Sequence, residues 1–403
     1  MQDIKNPTAR RARPAGRLTP MSITGVGAVT GYGWGAKHVW DGFLLGESAV
    51  RLRTGLDDFV DGGQAWVSTI ESEGERPGGP SRFVRALRFA AREAVADARE
   101  RGWQPGPVVG VVHSMVLGDV EMWRDYYRSD TSTVSGRQWV QMMPGTAISM
   151  MMKEHDFHGP SMAVTAMCAS GNAGMITAKS WIDTGICTDV LLLATDLSGI
   201  PENLRRFQDI GVAVLDTPPF EACRPFQEGS RGFVGGEAAV AMVLSDRNEG
   251  TYGDVLGGAM TMDAWSAVSI APDRVQMTRC FTEALATSGV DASEVAYLNA
   301  HGPGTAQCDA SEAAVLDDLF PDAHGIFSVK PLLGHCQGAS STAELLATLY
   351  AFETGSIPAP PQVAPGHPRL VSGRTPRQPG MMVKSSIGLG GYNSAIVVAE
   401  PSA

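Results

Sequence analysis

Two kinds of apolar pattern alternate along the chain. Short and nearly unbroken apolar runs are typical of strands buried between helical layers. Longer segments with apolar residues three or four positions apart predict amphipathic helices. The predicted strands are 21–30, 107–112, 161–166, 189–194, 238–244, 295–300, 326–330, one around 382 and 395–399, and the predicted helices are 82–101, 169–184, 275–288, 309–319 and 338–353. This alternation predicts an α/β fold with helices between or around the sheets.

The order of these elements repeats in outline in the second part of the chain. The composition loosens around 250–258, and a helix, a strand, a loop and a further helix then follow. We therefore divide the chain into two similar halves, 21–250 and 251–403. Residues 1–20 are basic and no apolar stretch follows them, which argues against a secretory signal and predicts a flexible basic tail.

The composition narrows the class of protein. The 403 residues are 43% hydrophobic, and 32 basic against 43 acidic side chains give a net charge of −11, which argues against nonspecific nucleic-acid binding. No apolar run approaches the roughly 20 residues of a membrane span. The cysteines are scattered without a Cys-x-x-Cys pair, so neither a disulfide framework nor a zinc site is indicated. We expect a cytoplasmic protein with reduced cysteines.

Cys168 lies in the stretch Val-Thr-Ala-Met-Cys-Ala-Ser-Gly-Asn-Ala-Gly, at the junction of a predicted strand and a predicted helix. The free N–H groups and the dipole at a helix N-terminus favour a thiolate over a thiol, so this position suits a nucleophile. The small residues Ala169, Ser170 and Gly171 leave room for another chain or a cofactor to approach. The alternative is a buried structural cysteine, which is the usual state of a free thiol.

His301 and His335 occupy turns that resemble the turn of Cys168. His301 follows a predicted strand in Asn-Ala-His-Gly-Pro-Gly-Thr, and His335 precedes a helix in Val-Lys-Pro-Leu-Leu-Gly-His-Cys-Gln-Gly. Loops at strand ends are where α/β folds gather catalytic groups. An ion pair between Lys330 and Glu312 would set the electrostatic field around both imidazoles; the alternative is that these charges lie on solvated helix faces. We expect the cysteine and the two histidines to form one site.

Five short motifs occur together in a fixed order. They are the small-residue turn of Cys168, Arg-Pro-Phe (224–226) with Gly-Phe (232–233), Asn-Ala-His-Gly-x-Gly-Thr, Val-Lys-x-x-x-Gly-His-x-x-Gly and Ser-Ile-Gly-Leu-Gly-Gly-Tyr-Asn (386–393). Their order and spacing resemble those of the β-ketoacyl synthases of the elongating KAS I/KAS II type, over roughly 22–399. The resemblance implies the thiolase fold, in which two similar α/β halves form five layers (α-β-α-β-α). It also implies a homodimer, or a heterodimer with a chain-length-factor-like subunit.

The resemblance also implies a reaction for each motif. Cys168 would take an acyl group from a phosphopantetheine thioester, while the N–H groups of Cys168 and Leu389 form the oxyanion hole. His301 and His335 would bind the carbonyl of a malonyl-type thioester and stabilise the enolate left when carbon dioxide departs. That carbanion would then attack the acyl-cysteine, which is a decarboxylative Claisen condensation.

Other implied features concern supporting groups and partners. Lys330 and Glu312 would support the histidines, and the enzyme itself would need no metal, redox group or other bound cofactor. Phosphopantetheine would arrive on a separate acyl carrier protein, in polyketide or fatty-acid-like biosynthesis. Because carrier proteins are acidic, docking requires a basic patch. The arginine face of the predicted helix 82–101 is one candidate, and a solvated face is the alternative.

The chain also departs from the motifs of this family. Pro303 stands where the first of two pantetheine-facing threonines is common, whereas Thr305 is kept. Leu389 occupies the place of a gating phenylalanine, and Ile387 replaces an aromatic residue. Met167 precedes the nucleophile and would narrow the floor of the acyl pocket. The remaining residues implied to contact substrate or pantetheine are Gly390 and Gly391. These differences favour a specialised polyketide pathway over housekeeping fatty-acid synthesis.

Three related activities fit the motifs less well. A thiolase would need a second catalytic cysteine in the last glycine-rich loop, and an inactive chain-length factor would lack Cys168. A ketosynthase-fold acyltransferase, which moves an acyl group from a carrier protein to an amine or alcohol without decarboxylation, stays open because of Pro303 and Leu389. A non-catalytic scaffold that binds a carrier protein would not need the cysteine and both histidines. The sequence leaves the acyl substrate, the pathway product and the dimer partner undetermined.

Overall fold

The computed structural model describes residues 19–56, 60–71, 80–131, 134–247 and 250–401. The described strands are β1 (Met21–Thr30), β2 (Gly33–Trp34), β3 (Arg51–Thr54), β4 (Gln64–Ser68), β5 (Val109–Ser114), β6 (Ser161–Val164), β7 (Asp189–Asp196), β8 (Gly235–Gly236), β9 (Ala238–Ser245), β10 (Asp254–Met262), β11 (Val295–Asn299), β12 (Gly325–Phe327), β13 (Ser356–Pro358), β14 (Arg374–Pro376), β15 (Met381–Gly388) and β16 (Tyr392–Ala399). The described α-helices are α1 (Ala36–Leu45), α2 (Arg82–Glu100), α3 (Val120–Arg128), α4 (Gly136–Gln141), α5 (Pro144–His155), α6 (Ser170–Asp183), α7 (Pro201–Asp209), α8 (Pro219–Ala222), α9 (Val275–Ser288), α10 (Ala306–Leu319), α11 (Lys330–Leu333) and α12 (Ser340–Thr354). The predicted basic tail lies outside the described residues except for its last two positions.

The main sheet consists of two arrays with the same topology. The first has the order β1-β9-β7-β5-β6, and the second has the order β10-β16-β15-β11-β12. In each array the first two pairings are antiparallel and the last two are parallel. The arrays join only where Met21 and Ser22 of β1 pair with Val255 and Asp254 of β10. This duplication confirms the two similar α/β halves that the repeated order of elements predicts.

Helices α6 and α12 lie between the two arrays and contact strands of both. Every residue of α12 from 340 to 351 is buried, because this helix carries small and apolar side chains on all faces. Gly171 lets the two helices approach closely, since a Cβ atom there would lie 2.3 Å from Thr342 Oγ1. The small residues after the cysteine therefore make room for α12 of the same chain, and not for the other chain or cofactor that the sequence suggests.

The outer layers are formed by α2 on one array and α9 on the other. The apolar face of α2 packs on β1 and β9, and Gly27 of β1 permits the contact, because a Cβ atom there would lie 2.0 Å from Ala90 O. With the central helices, these elements make the five layers expected of a thiolase fold. The sequence predicts α2 well because its apolar residues recur at helical spacing.

The arginine face of α2 is partly paired within the chain. Arg82 pairs with the buried Glu237 at 2.6 Å, and Arg88 and Arg92 both pair with Glu154. Because two arginines share one glutamate, this face keeps positive charge, and its role as a docking patch stays a prediction. In the described ranges, none of the helices is long and apolar enough to cross a membrane.

Candidate active site

Cys168 lies in the turn between β6 and α6, two residues before the helix begins. Its side chain is only 6% exposed. Neutral groups hold the turn: Ser170 Oγ accepts the N–H of Ala166 at 2.8 Å, and Ser386 Oγ donates to the Cys168 carbonyl at 2.8 Å. Met167 adopts a φ of +52°, in the left-handed region, and its side chain is 39% exposed. The chain reversal therefore directs the thiol inward while its neighbour remains at the surface.

The thiol and the two imidazoles converge in space. Cys168 Sγ and one ring nitrogen each of His301 and His335 all lie within 4.8 Å of one another. The two imidazole rings are nearly perpendicular, with centroids 5.5 Å apart. His301 follows β11 and His335 follows α11, so loops at the ends of distant elements meet at one point. The structure thus brings together the three residues on which the sequence argument rests.

Hydrogen bonds determine which nitrogen of each imidazole carries the proton. His335 Nδ1 accepts the N–H of Gln337 at 3.0 Å, and His301 Nδ1 lies 3.2 Å from the ammonium of Lys330. Because both partners are donors, Nδ1 is unprotonated in both rings and Nε2 carries the hydrogen. Burial, and after it the Lys330 charge, holds the pKa of both imidazoles well below its usual range. Both rings are therefore neutral at pH 7 and present an N–H to the thiol.

This tautomer assignment bears on metal binding. A ring nitrogen binds a metal ion through its free lone pair. In His301 and His335, Nδ1 already accepts a hydrogen bond and Nε2 carries a proton, so neither ring offers a lone pair. The neighbouring Lys330 and Lys384 ammonium groups also repel a dication. The hydrogen bonds and charges around the three side chains therefore disfavour a bound metal ion.

Three buried charges lie behind the imidazoles. Lys330, Glu344 and Lys384 are each at most 1% exposed. Glu344 pairs with Lys330 through one carboxylate oxygen, and its other oxygen lies 2.8 Å from Lys384 Nζ. Lys330 also donates to the His301 carbonyl at 2.5 Å. The predicted ion pair of Lys330 with Glu312 does not form, because Lys330 pairs with the carboxylate of Glu344 on α12 instead.

Glu312 supports the turn of His301 by hydrogen bonds and not through the predicted ion pair. Its carboxylate accepts the N–H groups of His301 at 2.9 Å and Gly302 at 2.7 Å, and the hydroxyl of Ser385 at 2.6 Å. These three bonds fix the backbone of the turn that carries His301. Glu312 is fully buried and therefore positions the histidine through the main chain, not through an ion pair.

The environment of Cys168 does not lower the pKa of its thiol. Burial raises this pKa to about 11, and the Lys330 charge and the Leu389 N–H oppose the rise only in part. The prediction of a thiolate stabilised by the helix N-terminus is therefore wrong for the free enzyme, because desolvation of the charged form outweighs the helix end. The N–H of Leu389 faces the Cys168 sulfur, and among the described residues no oxygen acceptor binds the N–H of Cys168 or of Leu389.

A cleft opens onto the thiol. The residues that line it are Cys168, Phe207, Val212, Phe233, Val268, Ser269, Ile270, His301, Pro303, Thr305, Gln307, Cys308, His335, Gln337, Ile387, Gly388 and Leu389. Of the residues predicted to contact the substrate or its oxyanion, Pro303, Thr305, Ile387 and Leu389 line this cleft. Met167 does not line this cleft, because its side chain lies at the surface. Gly390 and Gly391 pack against the loop at 263–267 instead.

Glu344 and Lys384 belong to the site but were not predicted from the sequence. Glu344 is the single charged residue in the buried stretch 340–351 of α12, and Lys384 is the single charged residue of β15. A charge that is buried in this way must be paired, so each position carried a usable signal. The partner was not identifiable, because it lies on an element that is distant along the chain. Gln337, which lines the cleft beside His335, was missed as well.

Comparisons with known proteins agree with this fold and site. The family descriptions "Beta-ketoacyl synthase, N-terminal domain" and "Beta-ketoacyl synthase, C-terminal domain" match 79–249 and 252–363. The chain is 28% identical to the tetracenomycin polyketide synthase ketoacyl synthase alpha subunit of Streptomyces glaucescens, over 94% of this chain and 96% of that protein.

Solved structures show the same fold. A type II PKS ketosynthase, in complex with its acyl-carrier protein and bound to a hexaketide, superposes with a TM-score of 0.83 at 20% identity, covering 95% of this chain and all of that one. The ishigamide ketosynthase/chain length factor superposes with a TM-score of 0.81 at 23% identity, covering 96% and 100%.

The fold and the site together are those of an acyltransferase in which Cys168, His301 and His335 lie side by side. The chain belongs to the beta-ketoacyl synthase family.

Proposed function

We propose that this protein is a ketosynthase that joins an acyl group, held on Cys168, to a malonyl-type thioester by decarboxylative Claisen condensation in polyketide or fatty-acid-like biosynthesis. The observation that carries the proposal is the pair of neutral imidazoles beside the thiol, each with a ring nitrogen within 4.8 Å of Cys168 Sγ and with Nδ1 already next to a donor. Two fixed donors are suited to binding a thioester carbonyl whose oxygen gains charge as an enolate forms.

The first half-reaction loads the enzyme. The Cys168 sulfur bonds to the acyl carbonyl carbon, the carbon–sulfur bond to phosphopantetheine breaks, and the proton of the Cys168 thiol passes to the departing phosphopantetheine sulfur. The N–H groups of Cys168 and Leu389 bind the oxyanion of the tetrahedral intermediate. Because the pKa of the free thiol is raised to about 11, the proton must leave as the sulfur attacks. The fully buried position then protects the acyl thioester from water.

The second half-reaction forms the new bond. The malonyl carbon–carbon bond breaks, carbon dioxide leaves, and its electron pair forms an enolate bound to His301 and His335. The enolate carbon bonds to the acyl carbonyl carbon, the bond to Cys168 sulfur breaks, and the sulfur takes up a proton from solvent to return the thiol. Lys330 and Glu344 maintain the tautomer of His301, while Glu312 maintains its backbone.

The arrangement is less suited to a transferase acting on an amine or alcohol. Such a reaction needs a base that removes a proton from the acceptor. His301 and His335 each have Nδ1 occupied by a donor, and Nε2 carries a hydrogen, so neither is ready to accept a proton. Condensation needs hydrogen-bond donors at this position, and the site supplies them.

The partners in the proposal follow from the cleft and from an exposed sheet edge. A separate acyl carrier protein would deliver the substrate on phosphopantetheine, and the enzyme would bind no further cofactor. Strand β6 is the outermost strand of its array, and Met162 on it is 46% exposed. Trp139, Val140 and Met167 are further exposed apolar residues of the same half. A second copy or a chain-length-factor-like subunit would cover this edge.

Two further expectations belong to the proposal. The boundary between the halves, at 250 and 251, falls between the end of β9 and the start of β10. The cytoplasm is the proposed location, because the reaction requires a reduced Cys168 and the described cysteines are all free thiols.

The proposal is tested with an acyl-carrier thioester, malonyl-carrier protein and intact-mass spectrometry. Acylation of Cys168, followed by a carrier product two carbons longer, is the expected result, and Cys168→Ala should abolish both steps. Transfer of the acyl group to an added amine or alcohol, without malonyl decarboxylation, would instead establish the transferase. Absence of acylation with short, long and aromatic donors would overturn both enzymatic functions.

A further inference from the structure

Gln337 presents an unpaired amide to the catalytic cleft. The residue is only 8% exposed and lines the cleft together with Cys168 and His335. Its backbone N–H donates to His335 Nδ1, but its side-chain amide has no hydrogen-bond partner in the described part of the chain. The amide nitrogen and oxygen are not fully enclosed by protein atoms and face the cleft, where they can hydrogen-bond a ligand.

The backbone at Gln337 explains the position of the N–H but not the choice of side chain. Its φ of +45° lies in the left-handed region, which is unfavourable for a residue with a Cβ. This conformation directs the N–H toward His335, which any non-proline residue would do equally well. The amide makes no contribution to that bond, so its presence calls for a ligand within the cleft.

The position of Gln337 within the cleft identifies which part of a substrate it meets. Val268, Ser269 and Gln307 are exposed at the mouth, whereas Gln337, like Cys168, is buried at the inner end. The pantetheine arm enters through the mouth and ends at the sulfur. A group on the acyl chain attached to Cys168 can therefore reach Gln337.

We propose that Gln337 is a specificity-determining residue that binds an oxygen on the acyl chain. This inference rests on the proposed ketosynthase function and names its substrate class: acyl groups with a carbonyl or hydroxyl oxygen near the thioester, in preference to saturated alkyl chains. The amide N–H groups donate to a carbonyl or hydroxyl oxygen, and the amide carbonyl accepts from a hydroxyl. A site built to hydrogen-bond its substrate discriminates against an analogue without that group, because the buried amide is then left unpaired.

The test compares matched probes on matched variants. The N-acetylcysteamine thioesters of hexanoate, 3-oxohexanoate, 3-hydroxyhexanoate and 5-oxohexanoate are offered to the wild type and to Gln337→Met, which keeps the length of the side chain. The rate constant for Cys168 acylation is followed by intact mass, and thermal unfolding verifies that each variant is folded. Gln307→Met is the control, because Gln307 lines the same cleft but its amide already donates to the Ile270 carbonyl at 2.8 Å.

The expected result is a change in preference. For at least one oxygenated probe, the acylation rate relative to hexanoyl falls about tenfold in Gln337→Met. In Gln307→Met the rates for all probes change by a similar factor. Dividing the relative acylation rate in the variant by that in the wild type cancels the intrinsic difference in reactivity between the probes. An unchanged preference in folded Gln337→Met would overturn the inference while leaving the ketosynthase function in place. No acylation by any thioester, including carrier-bound donors, would overturn the proposed function and this inference with it.

Discussion

The two sides of the cleft are stabilised in opposite ways. The turn that carries Cys168 is held by backbone groups and by the hydroxyls of Ser170 and Ser386. The turns that carry the histidines are backed by a buried network of Lys330, Glu344, Lys384 and Glu312. The cysteine side sets position, because a nucleophile needs mainly a fixed and dry location. The histidine side also sets protonation, because an imidazole can carry its proton on either nitrogen. The ammonium of Lys330 and the N–H of Gln337 lie at Nδ1 and so keep the proton on Nε2.

The difference also appears in the pKa values. On the cysteine side, burial dominates and raises the pKa of the thiol to about 11. On the histidine side, burial and lysine charges act together to hold the pKa of both imidazoles well below its usual range. In the resting enzyme all three reacting groups are therefore neutral. Four predictions follow from separating the two sides.

Removing the nucleophile should affect only the cysteine side of the cleft. In Cys168→Ala we expect acylation and condensation to fall by at least about 10⁴-fold, because no covalent intermediate forms. Decarboxylation of malonyl-carrier protein should persist, since both imidazole donors remain. Intact-mass spectrometry and carbon dioxide release measure the two reactions separately. Loss of decarboxylation in a correctly folded variant would show that the two sides do not act independently.

The raised pKa of the Cys168 thiol predicts how the reactivity of the cysteine side depends on pH. Only the thiolate reacts with iodoacetamide, and the thiolate fraction grows tenfold for each pH unit below the pKa. With a pKa of about 11, labelling of Cys168 should accelerate about 10³-fold between pH 7 and pH 10. Peptide mass spectrometry locates the label and gives its rate. A plateau that begins below pH 8 would instead support a thiolate stabilised by the helix N-terminus.

Removing one imidazole donor should affect the histidine side of the cleft. In His301→Ala or His335→Ala we expect malonyl decarboxylation to fall by about 10²–10³-fold, as for the loss of one oxyanion donor. Acylation of Cys168 should change by less than about tenfold, because neither ring is needed as the covalent partner. His158→Ala provides a control at an exposed histidine. A larger loss in acylation than in decarboxylation would assign the imidazoles to the first half-reaction.

Changing the charge network gives the smallest kinetic effect. Lys384→Met leaves Glu344 with Lys330 alone and removes a positive charge that lowers the pKa of both imidazoles. These pKa values should rise toward the usual range, so the acid limb of the decarboxylation rate should move to higher pH, where the rings begin to protonate. Breaking a buried ion pair should also lower the free energy of unfolding by about 3 kcal/mol.

The control for this change is Lys37→Met, because Lys37 is an exposed lysine that pairs within α1. The pH–rate profile and thermal unfolding report the two effects independently. An unchanged acid limb in a destabilised Lys384→Met protein would restrict Lys384 to a structural role.

The sequence alone predicted the layered α/β fold and the three reacting residues. Cys168, His301 and His335 were found because each lies at a strand or helix end bounded by small residues and glycines. Such turns are local features, and their residue types reflect backbone requirements that a single stretch of chain displays. The repeated element order is likewise readable along the chain, since hydrophobic period reports burial on one or both faces.

The tertiary structure decided the electrostatics and the pocket. Several features depend on contacts between elements distant in sequence. They are the pairing of Lys330 with Glu344 in place of Glu312, the second lysine at 384, and the ion-paired arginines of α2. The pKa of Cys168 was mispredicted for the same reason: the helix end is local, whereas desolvation depends on everything packed around the thiol. Burial and charge pairing are properties of the assembled layers, so no segment of sequence determines them by itself.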